Sequence, residues 1–219
     1  KHPEKRDSLN SVKKHISDQA DIKNMDTAIK YAKTQNGLAR LFILRTDMSK
    51  EKLQSIYNKL PTKVKESKNG KTLSLYLEAN QIKVGDKISD FKSFDTNGNE
   101  FEFSQIKNKK ILLLYGGLTC IREFGRKELL KLYQKTGKDN LEIVVYQPSD
   151  NLNQLKNSWP EYQSNFTLIS DFKGQRSPIK VIYAAVVKPS VFLFDKKGIL
   201  RIKRDGFSDE FMKYVTNFD

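Results

Sequence analysis

Cysteine, histidine and tryptophan are scarce in this chain. Its 219 residues include one cysteine, two histidines and one tryptophan. A single cysteine cannot close an internal disulfide, and together with His2 and His15 it cannot assemble a Cys/His metal site. We therefore expect no metal site and no disulfide framework. A chain of this length needs neither for stability, because it buries roughly 70% of its unfolded surface on folding.

Long hydrophobic runs and phosphate-binding loops are also absent. No apolar stretch approaches the roughly 20 residues that a transmembrane helix needs, so we expect no membrane span. The pair Gly116-Gly117 lacks the Gly-Lys-Ser/Thr ending of a nucleotide-binding loop, and we expect no bound cofactor. The chain shows no signal peptide, and its start at Lys1 suggests a mature or trimmed protein.

Acidic residues are outnumbered by basic ones. The sequence has 40 Lys and Arg against 26 Asp and Glu, a formal net charge of +14. The lysines are spread along the chain, and no zinc-finger spacing, recognition helix or RNA-binding strand motif accompanies them. We expect a solvated basic surface and no nucleic-acid partner. Binding of an acidic partner stays open, and its affinity would fall as salt rises.

Residues 1–80 have the patterns of a helical N-terminal segment. Apolar residues recur there at helical spacing, which predicts faces that pack rather than a cofactor site. Ser49 is an N-cap residue type placed directly before one such pattern. Asn69-Gly70 predicts a turn, followed by one more short helix around Leu73–Leu77.

Residues 81–219 alternate between strand and helix patterns, which predicts one α/β domain. A hairpin is expected around Thr96–Asn99, a sequence with turn chemistry between two segments of alternating polarity. The other predicted elements are strands at Ile111–Tyr115, Leu141–Tyr146, Val191–Phe194 and Ile199–Ile202, a short apolar piece at Phe166–Ile169, and helices at Ile121–Thr136, Leu152–Trp159, Ile179–Tyr183 and Asp209–Val215.

The single cysteine, Cys120, falls between a buried strand and a helix. Ile111–Tyr115 is apolar on both faces, as a strand inside a sheet should be. Gly116–Thr119 predicts a short turn, and a helical pattern starts at Ile121. A thiol at the start of a helix is placed for redox chemistry, because the helix N-terminal amides favour the thiolate.

Six segments of the second region follow one another in a recognisable order. They are Ile82–Phe91, Asp95–Gly98, Lys109–Cys120, Ser170–Gly174, Lys188–Asp195 and Lys197-Gly198. The series resembles the TlpA/ResA branch of the thioredoxin-like superfamily, close to the alkyl-hydroperoxide-reductase/thiol-specific-antioxidant (AhpC/TSA) group. The resemblance covers residues 82–207. Residues 1–80 are similar to the helical segment that precedes this domain in envelope-targeted relatives.

The resemblance implies a fold and an activity. The fold is an α/β, thioredoxin-like mixed sheet of four or five strands flanked by helices, and the activity is thiol-disulfide exchange with Cys120 as the nucleophile. Pro189 is then expected in a cis bond facing the thiol, with Lys188 and Pro189 pairing with a substrate peptide as an added strand. The partner is a protein or peptide thiol or disulfide. The implied location is the periplasm or cell envelope.

The sequence also departs from the family pattern of Cys-x-x-Cys. The motif reads Cys120-Ile-Arg-Glu123, so a carboxylate replaces the resolving thiol. The aromatic positions ahead of the first cysteine fall on Gly116 and Thr119. The buried acid that many thioredoxins use as a proton relay falls, by counting, on Leu114. These departures indicate a degenerate site.

A lone thiol leaves three interpretations open. It can exchange only as far as a mixed disulfide, which an outside thiol must resolve, so a monothiol oxidoreductase is one interpretation. A redox-inactive binding or scaffold module of the cell envelope is the second. A peroxidase is the third, but peroxide-reducing relatives have Thr three residues before the cysteine, where this chain has Gly117.

Residues around the thiol are candidate binding and electrostatic groups. Thr119 and Arg122 flank the Cys120-Ile121 pair and are candidate binding residues, together with Lys188. Arg122 and Arg126 would add positive potential near a thiolate, and Glu123 would oppose it if close.

Overall fold

The computed structural model describes residues 3–185 and 187–208, together with Phe211 and Val215. Internal contacts divide the chain into two units, Lys1–Glu78 and Ala79–Asp219. Among the described residues, no helix combines the length and the apolar character that crossing a bilayer requires.

The first unit is built from helices. They are α1 (Pro3–Lys30), α2 (Gln35–Ile43), α3 (Lys50–Asn58), α4 (Thr62–Lys65) and α5 (Lys68–Glu78). Ser49 caps α3 as its sequence position predicts, because its hydroxyl accepts the N–H of Lys52 at 3.2 Å. The apolar faces meet in a small core whose most buried members are Ala28, Leu38, Leu41, Leu53 and Leu73.

The turn predicted at Asn69-Gly70 is wrong, because both residues lie inside α5. The hydroxyl of Ser67 accepts the N–H of Gly70 at 3.1 Å and so starts the helix ahead of the glycine. Gly70 serves packing instead of a turn. A Cβ at this position would lie 2.3 Å from the carbonyl oxygens of Val64 and Lys65.

The second unit contains a seven-stranded mixed sheet with the order β2-β1-β5-β4-β3-β6-β7. Its strands are β1 (Ser93–Asp95), β2 (Glu100–Phe101), β3 (Lys110–Tyr115), β4 (Leu141–Tyr146), β5 (Thr167–Ser170), β6 (Ser190–Phe194) and β7 (Leu200–Asp205). Strands β3, β4 and β5 are parallel, whereas β6 is antiparallel to β3. The expectation of four or five strands was too low, because the β1–β2 hairpin adds two short strands at one edge by pairing with β5.

Strand β3 lies inside the sheet and is buried on both faces. Leu112 and Leu114 belong to one apolar layer, and Ile111, Leu113 and Tyr115 belong to the layer on the opposite face. This alternation follows from the period of two along a strand. It explains why the sequence of β3 is an unbroken apolar run.

Helices cover the sheet. They are α6 (Arg122–Thr136), α7 (Leu152–Asn157) and α8 (Ile179–Ile182). Helix α6 ends where the sequence predicts, at Gly137, whose φ of 79° is accessible mainly to glycine. The helix predicted over Asp209–Val215 falls largely outside the described residues. Phe211 and Val215, which are described, are helical and buried against the layer that contains Leu114.

Candidate active site around Cys120

Two glycines separate β3 from the turn that carries the cysteine. Gly116 has a φ of 113° and Gly117 a φ of 81°, both in the region that glycine alone adopts readily. A Cβ on Gly117 would lie 2.4 Å from Oε1 of Gln147. A side chain at residue 117 would be strained by this φ and would also displace the amide of Gln147. The threonine of the peroxidase pattern is therefore incompatible with this backbone.

Cys120 lies in a short 3-10 helix, Leu118–Ile121, and not at the start of α6. Its N–H donates to the carbonyl of Gly117 at 3.3 Å. Arg122 then adopts a φ of 55°, which breaks the direction of the chain before the regular turns of α6. The sequence predicts a helix from Ile121, and α6 begins one residue later, at Arg122, so Cys120 precedes the α-helix by two residues.

Burial of two neighbours explains this turn. Leu118 and Ile121 are buried in the same apolar layer as Leu114. Both must point into the protein although they are only three residues apart, which a 3-10 turn allows because positions i and i+3 eclipse. Thr119, which lies between Leu118 and Cys120 in the sequence, is exposed.

The thiol of Cys120 is half-buried and makes one hydrogen bond. Its Sγ donates to the carbonyl oxygen of Gly116 at 3.1 Å. Only the protonated thiol can make this contact, because a thiolate has no proton to donate.

The segment before β6 approaches the same glycine. The Lys188–Pro189 peptide bond is cis. Tyr115 pairs with Ser190 across β3 and β6, so continuing the antiparallel register by one residue places Pro189 opposite Gly116. An ideal Cβ on Gly116 would lie 3.1 Å from Cβ of Lys188 and 3.5 Å from Sγ of Cys120. The thiol and the lysine therefore converge on one residue, with Pro189 buried and Lys188 exposed.

Glu123, at the position of the missing second cysteine, is committed to another partner. Its carboxylate binds the ammonium of Lys127 one helical turn later at 2.6 Å. The hydrogen bond and the charge of Lys127 lower the pKa of Glu123, so it is ionised at neutral pH. Its side chain is 70% exposed, which describes a solvated surface ion pair.

Arg126 has partners other than the thiol. Its guanidinium donates to the carbonyl of Leu118 at 3.2 Å and lies 4.5 Å above the ring of Trp159. It braces the cysteine turn through the backbone. The side chain of Arg122 is exposed, next to the turn.

Leu114, where counting along the sequence places a proton-relay acid, has a hydrocarbon side chain. Leu114 is completely buried and pairs with Val145 and Val191 on the neighbouring strands. A leucine side chain has no group that can accept or donate a proton. Leu114 belongs to the same buried apolar layer as Leu118 and Ile121, the residues on either side of Thr119-Cys120.

A buried pair on the neighbouring strands was not found from the sequence. The hydroxyl of Tyr146, at the end of β4, donates to Oδ1 of Asp171 at 2.6 Å. Burial, and then the nearby Asp171, raise the pKa of Tyr146 far above its usual value, so it stays a neutral donor. Asp171 directly follows β5 in the segment Ser170–Gly174, and that placement after a buried strand was the available signal.

Exposed apolar side chains lie close to the site along the chain. Phe124, in the first turn of α6, is 56% exposed, and Val187, next to Lys188, is 47% exposed. Large hydrophobic side chains that stay in water beside a reactive group commonly mark a contact surface.

The sequence pattern of the AhpC/TSA family matches residues 84–203, more than half of the chain. The matched residues span the glycine turn, Cys120 and the cis-proline segment. The chain belongs to the AhpC/TSA family.

Solved structures with similar folds are distant in sequence. The thioredoxin domain of a thiol-disulfide oxidoreductase from Bacteroides vulgatus is 19% identical, with a TM-score of 0.53, over 63% of this chain and 99% of that one. A thiol-disulfide oxidoreductase from Bacteroides fragilis is 16% identical, with a TM-score of 0.52, over 59% and 97%. A thiol peroxidase from Chromobacterium violaceum is 14% identical, with a TM-score of 0.50, over 63% and 85%. No curated protein matches the chain.

The family match confirms the AhpC/TSA group expected from the sequence, and the solved structures confirm the thioredoxin-like fold. At such low identities they establish the fold alone. In this member of the AhpC/TSA family, the candidate site brings Cys120 beside Gly116, Lys188 and Pro189, and Glu123 pairs with Lys127.

Proposed function

We propose that this AhpC/TSA-family chain exchanges thiols and disulfides with a protein or peptide partner, and that it works at most as a monothiol through Cys120. One observation carries the proposal. The half-buried thiol and the segment of the cis Lys188–Pro189 bond converge on Gly116. The arrangement leaves Sγ within reach of a partner that binds along Lys188.

The exchange needs two steps because the chain has one thiol. First the Cys120 thiol loses its proton, and with it the hydrogen bond to Gly116. The thiolate then attacks one sulfur of a partner disulfide, forming a mixed disulfide and releasing the other sulfur as a thiolate. An outside thiol attacks the mixed disulfide, becomes disulfide-linked to the partner and frees Cys120. Glu123 has no sulfur and therefore cannot replace the outside thiol in this step.

Exposure to oxidised glutathione tests the proposal. Native protein should gain one glutathionyl group, seen as an intact-mass increase that a reductant reverses. The Cys120→Ser variant should gain none and serves as the control. If the unfolded protein forms the adduct and the native protein does not, the native site is closed to disulfides and the proposal fails.

The second candidate is a redox-inactive module that binds a partner through the same face. The exposed Phe124 and Val187, and the engagement of Glu123 by Lys127, favour it. The two candidates differ in one measurement. The module is supported if the Cys120→Ser variant still binds the partner and the parent protein does not turn over a mixed-disulfide substrate. The oxidoreductase is supported if the parent protein turns over that substrate and Cys120→Ser abolishes the turnover.

We also propose the periplasm or cell envelope as the location. The similarity of residues 1–80 and 82–207 to envelope-targeted relatives supports it. Fractionation of the source cells with an antibody against the chain checks the proposal. Recovery with cytosolic markers would contradict it.

A further inference from the structure

A cleft of about 380 Å³ opens at the ends of strands β3 and β4, next to the candidate site. It shares Lys188 with that site, and Tyr115, the residue before Gly116, forms part of its wall. Open α/β sheets bind ligands at this end of their parallel strands. The cleft is therefore placed to receive whatever reaches the thiol.

Basic side chains dominate the lining of the cleft. Lys173, Arg176, Lys180 and Lys188 line it, against one acidic residue, Asp150. Within the part of the chain that the structure describes, the side chains of Lys173, Arg176 and Lys188 form no ion pair. These three cations share one concave surface and pair with no carboxylate of the described residues, which creates a positive potential that favours an anionic ligand.

The remaining wall is aromatic. The rings of Tyr115 and Tyr146 stack with centroids 5.5 Å apart, and Phe172 stacks on Phe94 at 5.7 Å. Tyr115, Tyr146 and Phe172 all line the cleft, together with Pro148. Apolar and cationic side chains that line one cleft suit a short aliphatic stem with a carboxylate at its end. Aspartate and glutamate side chains have this form.

We propose that this cleft binds an acidic segment of the partner polypeptide, with Lys173 and Arg176 receiving its carboxylates. A polypeptide fits better than a small acid because Lys188 lines the cleft and also borders Cys120 at Gly116, with the exposed Val187 beside it in sequence. The claim that the bound segment also carries a thiol or disulfide rests on the proposed function. The binding of carboxylates does not.

Peptides without cysteine test the binding separately from the exchange. The probe is a short peptide in which a serine replaces cysteine and two glutamates flank that serine. The control peptide has two glutamines in place of the glutamates. Binding to the full-length Cys120→Ser chain is measured by fluorescence anisotropy. The glutamate peptide should bind more tightly, and its advantage should shrink toward 1 M salt, where the screening length is about 3 Å. Equal binding of the two peptides would overturn the proposal.

Two double variants locate the site. Lys173→Gln with Arg176→Gln removes two charges from the cleft, and Lys196→Gln with Lys197→Gln removes two from the exposed turn after β6. The first pair should weaken binding of the glutamate peptide about 2- to 30-fold, the range for two exposed ion pairs. The second should leave it unchanged. Equal weakening by both pairs would show a diffuse basic surface and would refute the cleft.

Three further results distinguish the cleft proposal from binding of a small acid and from the proposed thiol-disulfide exchange. Succinate that binds the cleft as tightly as the glutamate peptide would overturn the polypeptide assignment. If the protein prefers the glutamate peptide but Cys120 forms no glutathione adduct, the cleft is supported and only the proposed function is contradicted. If cysteine peptides exchange with Cys120 at the same rate with and without acidic residues, the proposed function is supported and only the cleft proposal is contradicted.

Discussion

At the scale of single residues, Gly116 and Gly117 control the environment of the thiol. Gly116 supplies the carbonyl that Cys120 binds and leaves the space that Lys188 enters. Gly117 holds a φ of 81° and a ψ of 169°, a combination found almost only in glycine. Geometry around Cys120 therefore depends on two residues that have no side chain.

Replacing Gly117 by alanine should destabilise the protein and disturb the thiol. Gly137 provides a matched control, since its φ of 79° and ψ of 150° are similar but nothing lies within 4 Å of an added Cβ. Gly137→Ala should cost about 1–3 kcal/mol from backbone strain alone. Gly117→Ala should cost more, because its Cβ meets Gln147, and should alter the rate at which a disulfide reagent labels Cys120. If urea unfolding shows the same loss of unfolding free energy for Gly117→Ala and Gly137→Ala, this prediction is wrong.

Leu114→Asp should cost several kcal/mol at neutral pH, because a buried carboxylate has no partner there. Burial raises the pKa of such a carboxyl, so the penalty should be smallest below the unfolded value of about 3.9 and should grow as the pH rises above it. Leu114→Met keeps the volume and should cost less than about 1.5 kcal/mol at any pH. Urea unfolding at several pH values gives both results. A neutral effect of Leu114→Asp would show that residue 114 does not face the core.

At the scale of elements, the β6–β7 turn depends on one carboxylate. Asp195 accepts the N–H groups of Lys197 and Ile199, both at 2.9 Å, and its other oxygen accepts two bonds from Arg201. Burial raises the pKa of Asp195, but the hydrogen bonds from Ile199, Arg201 and Lys197 together outweigh it and leave the pKa below 3.8. The carboxylate thus closes the turn that carries β7 back along β6.

Asp195→Ala should destabilise the second unit by about 2 kcal/mol, the scale of hydrogen bonds to a charged group. Arg201→Gln, which leaves both backbone bonds in place, should cost less than about 1 kcal/mol. Because the folded pKa is lowered, this contribution is complete above pH 3.8 and is lost as the pH falls through the folded value. Thermal melts of the parent and Asp195→Ala proteins should therefore converge in acid. A constant gap down to the lowest pH would argue against this role.

At the scale of the whole molecule, the chain has two separate cores. The predicted boundary lies after residue 80, and internal contacts divide the chain between Glu78 and Ala79. The second unit has apolar layers on both faces of its sheet. A chain of its length buries enough surface to fold without its neighbour.

We expect a fragment of residues 79–219 to fold on its own. Its thermal unfolding should be cooperative, and Cys120 should react with a disulfide reagent at the rate measured in the full chain. Circular dichroism and labelling kinetics check both points, with the full chain as the reference. A fragment without a cooperative transition would show that residues 1–78 are required for folding.

Strands and helix ends were predictable because their signals are local. Leu141–Tyr146 reads as an apolar run and forms β4 with those bounds, and Gly137 ends α6 as expected. Asn69-Gly70 misled because Ser67, two residues earlier, caps the helix. The dipeptide alone carries no information about its neighbour's hydroxyl.

The sequence by itself determined the family, the α/β order and the presence of one thiol after a buried strand. Those properties depend on residue types a few positions apart. Only the tertiary structure decided what the thiol meets. Cys120 and Lys188 reach Gly116 because β3 pairs with β6, and Lys173 and Arg176 join Lys188 at one cleft because the strands β3, β4 and β5 end together. Burial of the two apolar layers drives that pairing, and no local pattern encodes it.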